Sequence, residues 1–292
     1  MENHKRCFVC GSEELKKLKG YYEKHQLVKC KTCSFVLNEK IPSLEVLAAH
    51  YGQYSYGSAG YLSPITIKSY NILLDEFEKY RQSGRILDVG CGRGWFLIEA
   101  RKRGWEVYGT EYSEKAVELC ENSGIQMKKG ALNPNDFDTK DFDVVTSFEV
   151  IEHINNPNED MSNIHKLLRK GGLFYCTTPN FNSIMRYYLK DSYNVIDYPE
   201  HLSYYTKKTL TKVMEKHNFR KVKFLSTGIS ITRIKKSKKK SDEKFVSKTS
   251  SDEKLRENID SKRSLQLVKS IVNKTLTWTN SGMTLKGYFE KL

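Results

Sequence analysis

Two sets of residues in this 292-residue chain have types and spacings that could do chemistry. The first is Asp88 followed by Gly90, Gly92 and Gly94 at alternate positions, behind the apolar run Ile86-Leu87-Asp88-Val89 and ahead of Trp95-Phe96-Leu97-Ile98. Glycines permit a tight strand-to-helix turn and let a ligand approach bare backbone. Such a turn makes a ligand-binding mouth at the carboxyl end of a buried strand. The next apolar segment, Glu106 to Thr110, ends at Glu111, where a carboxylate can accept both hydroxyls of a ribose. The second set is Cys7, Cys10, Cys30 and Cys33, two Cys-x-x-Cys pairs. Four thiolates suit a tetrahedral zinc with no open position, so the expected role is structural, as in the two knuckles of a zinc ribbon. A redox pair fits poorly, because the motif occurs twice and no thioredoxin-like βαβ unit surrounds it.

The spacing of the glycines separates two kinds of ligand. The dinucleotide fingerprint sets its third glycine three positions after the second; here it follows after two. The Asp-x-Gly-x-Gly-x-Gly pattern, with Glu111 closing the following strand, resembles motif I of the class I S-adenosylmethionine-dependent methyltransferases. The resemblance covers about residues 1–233 and the last dozen. It implies a Rossmann-like α/β fold with a seven-stranded sheet, six strands parallel and the seventh antiparallel. It also implies S-adenosylmethionine as cofactor, held by Asp88, Gly90, Cys91, Gly92, Gly94, Glu111, Tyr112, Ala131, Leu132, Phe148, Glu149 and His153. Many similar enzymes carry an acidic residue near Ala131 for the adenine amino group. This sequence has none there, which leaves the backbone or Asn133 for that task.

Phe148 to His153 resembles motif IV, whose backbone holds the methionine part of the cofactor. Glu149, Glu152 and His153 also match a Glu-x-x-Glu-His pattern of magnesium-using relatives such as some quinone O-methyltransferases. Histidine is an uncommon ligand for so hard an ion, and a helix start with acidic residues near the positive dipole end is the preferred reading. Tyr198-Pro199-Glu200-His201 resembles the Tyr-x-Glu-His arrangement of sugar C-methyltransferases. By that resemblance His201, with Tyr198 and Glu200, is the catalytic set. Histidine is also the side chain best suited to proton removal near neutral pH.

Alternating strands and helices from Arg85 onward position these groups and argue a parallel sheet. Strands are expected at 86–89, 106–110, 124–127, 142–147, 173–177 and 221–225, and an antiparallel one over 281–290. Helices are expected at 95–98 onward, 114–123 with Ser113 as cap, 158–168, 207–217 and 265–278. Three divisions follow: a zinc ribbon at 1–40, a helical, tyrosine-rich cover at 41–83 and the core at 84–292. In the cover, Tyr51 and Tyr56 are candidate contacts. Phe181 to Tyr198 reads as an irregular aromatic wall of a substrate pocket. Residues 235–264, rich in lysine, serine and acidic side chains, read as a mobile insertion.

The remaining Cys91, Cys120 and Cys176 are odd in number and scattered, which argues against a disulfide framework. The first residues are polar and no apolar run approaches a membrane span, so a cytoplasmic location is expected. The net charge of +14 suggests phosphate-rich partners. Basic residues are nevertheless spread along the chain, and the one dense cluster, 235–240, reads first as a solvated surface. The ribbon joined to such a core resembles methyltransferases acting on sugars, surface polysaccharide precursors or secondary metabolites, and that resemblance implies a small-molecule acceptor ahead of nucleic acid. The alternatives are an RNA or protein methyltransferase and a non-catalytic cofactor-binding subunit. The oligomeric state is left open.

Overall fold

The computed structural model describes residues 3–43, 46, 60–238 and 248–292. The chain begins with β1 (Leu15–Lys17), the short helix α1 (Tyr22–His25), β2 (Leu27–Cys30) and β3 (Val36–Asn38). After α2 (Pro64–Phe77) come β4 (Arg85–Val89), α3 (Trp95–Lys102), β5 (Glu106–Glu111), α4 (Glu114–Asn122) and β6 (Gln126–Lys129). Then follow β7 (Phe142–Phe148), α5 (Pro157–Leu167), β8 (Leu168–Pro179), α6 (Ile184–Leu189), β9 (Ser203–Tyr204) and α7 (Lys207–Lys216). The chain closes with β10 (Phe219–Thr227), α8 (Ile231–Ser237), α9 (Ser251–Ser261), α10 (Arg263–Thr279) and β11 (Thr284–Lys291).

Seven strands form the main sheet in the order β10-β11-β8-β7-β4-β5-β6. β11 runs antiparallel to both of its neighbours, and the pairs from β8 to β6 are parallel. This is the expected Rossmann-like architecture. The order reverses beside β4, so the carboxyl ends of β4, β5 and β7 border one crevice, where open α/β sheets bind ligands. The central strands are apolar on both faces, as helices on both sides require: Ile86, Leu87, Val144 and Val145 are fully buried. Local chemistry sets the helix starts. Ser63 accepts from the Ile65 amide with Pro64 in the first turn of α2, and Thr206 and Thr209 close a reciprocal capping box on α7. At α4 the expected side-chain cap is missing: the Ser113 hydroxyl caps nothing, and the Ser113 amide donates to Glu111.

The four-cysteine segment is not an independent unit. Its sheet runs β1-β2-β3-β9, so β3 pairs with a strand that follows β8 much later in the chain. The register sets Val36 against Tyr204 and Leu37 against Ser203. Phe35 stacks obliquely on Tyr205 at 5.2 Å, and one continuous apolar cluster joins Val9, Val28 and Phe35 to Val145 and Phe174 of the main sheet. Tyr22 lies in α1.

Two further expectations change. Phe181 to Tyr198 is no irregular pocket wall: it holds α6, and Phe181, Tyr193, Val195 and Ile196 are buried against Leu27 and Val36 of the ribbon. Residues 235–264 contain helix as well as loop. Within them α9 is anchored to the start of α2, where Glu253 bonds the Ser63 and Tyr61 hydroxyls, and Lys68 pairs with Asp260 at 2.8 Å. Composition hides this because the anchors are polar. Tyr51 and Tyr56 lie outside the described residues.

Candidate active site

On the cofactor side, β4 delivers Asp88 and the glycine loop. Gly90, Gly92 and Gly94 have φ of 69°, 54° and 67°, a region that side chains with a Cβ rarely adopt. A Cβ on Gly90 would lie 2.7 Å from Val150 Cγ2, and one on Gly94 would lie 2.5 Å from Ile125 Cδ1. Gly90 therefore keeps room between two loops, whereas Gly94 lets the start of α3 close against Cys120 of α4 and Ile125 just before β6. Glu111 ties the crevice together: its carboxylate accepts from the Gly92, Tyr112 and Ser113 amides at 3.0, 2.8 and 3.2 Å. Asp88 is buried and accepts from the Thr146 hydroxyl at 2.7 Å. Burial pushes its carboxyl up to about 7.

The other expected cofactor residues contribute unequally. The Cys91 side chain turns inward, 4.0 Å from Cys120 Sγ and 3.9 Å from Met127 Sδ, leaving its backbone to the loop. The Phe148 ring packs among Phe96, Tyr70 and Tyr175. Tyr112 and Ala131 are exposed, and Leu132 is buried with its carbonyl bound to Asn163. Asn133 caps a following 3₁₀ turn through the Asn135 amide. Glu149 is exposed and holds a left-handed φ of 53°, its amide bound to Thr177. A cradle of open backbone with a carboxylate at the next strand end fits a nucleoside cofactor.

The expected catalytic set is assembled from distant segments. His153 Nδ1 donates to the Glu200 carbonyl at 2.5 Å, and its ring meets that of His201 edge-on at 4.8 Å. His201 Nδ1 donates to the Val195 carbonyl at 2.5 Å, which fixes the tautomer and leaves the lone pair on Nε2. Burial, with His153 beside it, lowers the His201 pKa to about 4. Glu152 takes a hydrogen bond from Thr178 on one oxygen, while Oε1 is buried with no hydrogen-bond partner. Burial raises its pKa well above the usual carboxylate range. The Tyr198 hydroxyl is likewise buried without a partner.

The expected helix start at Glu149 to His153 is a single 3₁₀ turn, Ile151–His153, with Glu152 inside it and buried. The compact donor group is Glu152, His153 and His201, with ligand atoms within 4.8 Å of one another, and Glu149 is not part of it. Two imidazoles and one carboxylate do not suit magnesium. Sequence reasoning missed Thr178, Val150 and the Val195 carbonyl, which carry no motif. It passed over Glu152 as a catalytic-side group, although the Glu-x-x-Glu-His spacing drew attention to it.

The sulfurs of Cys7, Cys10, Cys30 and Cys33 lie within 4.8 Å of one another, with Cys7–Cys33 at 3.4 Å and Cys10–Cys30 at 3.5 Å. A tetrahedral site with about 2.3 Å metal–sulfur bonds has sulfur–sulfur edges of roughly 3.8 Å, so the cage is of the right size. Both knuckles turn alike. A left-handed residue follows each second cysteine, Gly11 at φ 73° and Ser34 at φ 67°, and its amide returns to the carbonyl of the first.

The strand order, the antiparallel β11 and the glycine loop define a Rossmann-like methyltransferase fold. A family model described as a methyltransferase domain matches residues 69–223, more than half of the chain, and the chain belongs to that family. Ubiquinone biosynthesis O-methyltransferase of Coxiella burnetii (strain RSA 493 / Nine Mile phase I) is 33% identical over 106 residues, 33% of this chain and 44% of the relative. The corresponding protein of Bordetella avium (strain 197N) is 30% identical over 108 residues, 35% of this chain and 45% of its own. The chain thus spans less than half the length of these curated relatives. Among solved structures, a SAM-dependent methyltransferase from Archaeoglobus fulgidus superposes with a TM-score of 0.52 at 20% identity, covering 78% of this chain and 93% of that one. Geranyl diphosphate C-methyltransferase from Streptomyces coelicolor A3(2), in complex with Mg2+, geranyl diphosphate and S-adenosyl-L-homocysteine, gives 0.54 at 13% identity, covering 77% and 79%. Likeness at these identities is a likeness of fold.

Proposed function

We propose that the chain moves a methyl group from S-adenosylmethionine to a small-molecule acceptor, while the four cysteines hold a structural zinc. The observation that carries this reading is the short path joining the two sides of the crevice. Gly90 abuts Val150; the Val150 carbonyl accepts from the His153 amide at 2.9 Å; and His153 contacts both Glu200 and His201. A cradle for a nucleoside and a group able to take a proton are thereby linked through a few successive contacts. When bound, the cofactor supplies an electrophilic methyl on a sulfonium. The chain's own task is alignment and exclusion of water. The Gly90–Gly92 backbone leaves room, Glu111 accepts ribose hydroxyls, and Asp88 ties β4 to Thr146 of β7 behind the loop. His201 Nε2 takes the acceptor proton, from a hydroxyl or from a carbon beside a carbonyl. Its low pKa keeps the imidazole neutral at physiological pH. The unpaired Tyr198 hydroxyl and Glu200 orient the acceptor.

The preferred acceptor class is a sugar, nucleotide-sugar or other polysaccharide or secondary-metabolite precursor, a preference supported by the ribbon joined to this core and by the Tyr-x-Glu-His segment. The names of the quinone-pathway relatives support a small molecule and hydroxyl chemistry. The test is incubation of the protein with S-adenosylmethionine and a panel of nucleotide sugars and hydroxylated aromatics, read by mass spectrometry. Formation of S-adenosylhomocysteine with an acceptor heavier by one methylene group supports the reading. No binding of S-adenosylhomocysteine by calorimetry sinks it.

A further inference from the structure

Helix α10 displays an apolar face that neither sheet nor helix among the described residues covers. Its inner side is fixed on β10: Leu276 is buried, Asn273 accepts from the Gly228 amide and Thr277 from the Ser226 amide. On the opposite side Leu267 is 64%, Ile271 56% and Trp278 83% exposed, with Val268 also exposed. At 100° per residue Leu267, Ile271 and Trp278 fall within one narrow arc, and Arg263 and Lys274 flank it on one edge. A soluble helix ordinarily turns such a stripe toward the core.

We propose that this face docks on an anionic lipid surface. Charge selects that partner. The helix RSLQLVKSIVNKTLTWT contains Arg263, Lys269 and Lys274 and no acidic residue. A second copy seated on the same face would bring Arg263 and Lys274 of both copies together with no carboxylate on the helix to pair them. An anionic interface complements those cations, and an indole beside aliphatic side chains is the composition that settles at the headgroup boundary. No helix among the described residues is long and apolar enough to cross a membrane, so the contact is peripheral.

The face also continues toward the acceptor side. The Asn280 carbonyl just past α10 accepts from Asn180 at the end of β8, and the Ser281 carbonyl accepts from the Ile184 amide at the start of α6. There Ile184, Tyr187 and Tyr188 are exposed as well. A bilayer touching α10 therefore lies at the end of the sheet where the glycine loop and His201 sit. This inference stands on the exposed surface and does not depend on the proposed reaction.

The experiment is flotation of the full chain with vesicles of phosphatidylcholine alone and of phosphatidylcholine with phosphatidylglycerol, alongside Trp278 fluorescence. The expected result is binding to the anionic vesicles only, weakened by salt, with a blue shift of the indole emission. Ile271→Asp and Trp278→Ala should each weaken binding about tenfold or more. Unchanged melting and unchanged S-adenosylhomocysteine affinity of the variants separate loss of docking from loss of fold. Equal binding to both vesicle types, or binding that survives Ile271→Asp in a folded variant, overturns the proposal. So does a dimer by light scattering that Ile271→Asp dissociates, because the face would then belong to a second copy.

Discussion

The two sides of the crevice are built in opposite ways. The cofactor side is contiguous: Asp88, the glycine loop and Glu111 lie within 24 residues, and each follows directly from a strand end. The acceptor side is composite. His201 is held by Val195 at one nitrogen and faced by His153, while the strand immediately after it, β9, is paired to the ribbon through β3. Asn38 reinforces that seam by donating its amide to the Leu202 carbonyl at 2.9 Å. A nucleoside is the same in every enzyme that uses it, and one loop suffices to hold it. The proposed acceptor pocket depends on three separated segments and can change when any one of them does.

The comparison breaks first at the glycine loop. Gly92→Val forces a Cβ into a left-handed turn whose amide serves Glu111, and should lower S-adenosylhomocysteine affinity more than 100-fold, on the order of 3 kcal/mol or more. Hydrogen exchange at Ser203 to Tyr205 should be unaffected. Retained affinity in calorimetry would remove the loop from the site.

His201→Ala tests the other side. Turnover should fall by roughly 10²–10⁴-fold, the range for a general base, with cofactor affinity unchanged. Because the His201 pKa lies near 4, wild-type turnover should keep its basic form down to about pH 5 and decline below that, instead of declining near 6.5. The depressed pKa also bears on stability. The unfolded imidazole takes up its proton near 6.5 and the folded one near 4, so this group's contribution is complete above 6.5 and is lost as pH falls through 4. Wild-type turnover in the alanine variant, measured on the true acceptor, would leave alignment as the whole device.

Metal removal sharpens the contrast. Chelation, or Cys30→Ser, should expose β3 and with it β9, so exchange at Ser203 to Tyr205 should rise at least about tenfold while S-adenosylhomocysteine affinity changes less than about threefold. Metal analysis of the native protein should find one zinc per chain. Protection at β9 that persists without metal would make the ribbon a bystander.

A stability effect on the cofactor side concerns Asp88. Its carboxyl ionises near 7 when folded and near 3.8 when unfolded, so the folded state holds the extra proton between those values. Stability therefore falls as pH rises through that window, and the loss is complete above 7. Asp88→Asn should raise stability at pH 8 by on the order of 2–4 kcal/mol relative to its effect at pH 4. Equal melting shifts at both pH values would mean that Asp88 is ionised throughout.

Much of the cofactor side was legible because its signals are local: φ-permissive glycines, a buried strand and an acidic strand end all appear within one βαβ unit. The four cysteines were legible for the same reason, through spacing alone. The wall at Phe181 to Tyr198 was misread, because aromatic side chains look the same in a pocket lining and in a core. Only the ribbon's position tells them apart, and Tyr193, at 1% exposure, packs against it. The insertion was misread because its anchors, Glu253 on Ser63 and Asp260 on Lys68, are polar pairs far apart in sequence.

The sequence by itself determined the sheet, the glycine loop and the two cysteine knuckles, since strand apolarity, left-handed glycines and thiolate spacing act over a few residues. Tertiary structure alone decided what His201 faces, where Glu152 lies and which strand the ribbon completes. Those outcomes depend on hydrogen bonds and ring contacts between segments 6 to 168 residues apart, such as His201 to Val195 and Val36 to Tyr204, and on the burial they create. A backbone carbonyl that fixes a tautomer, or a neighbouring ring that lowers a pKa, has no residue type of its own to announce it.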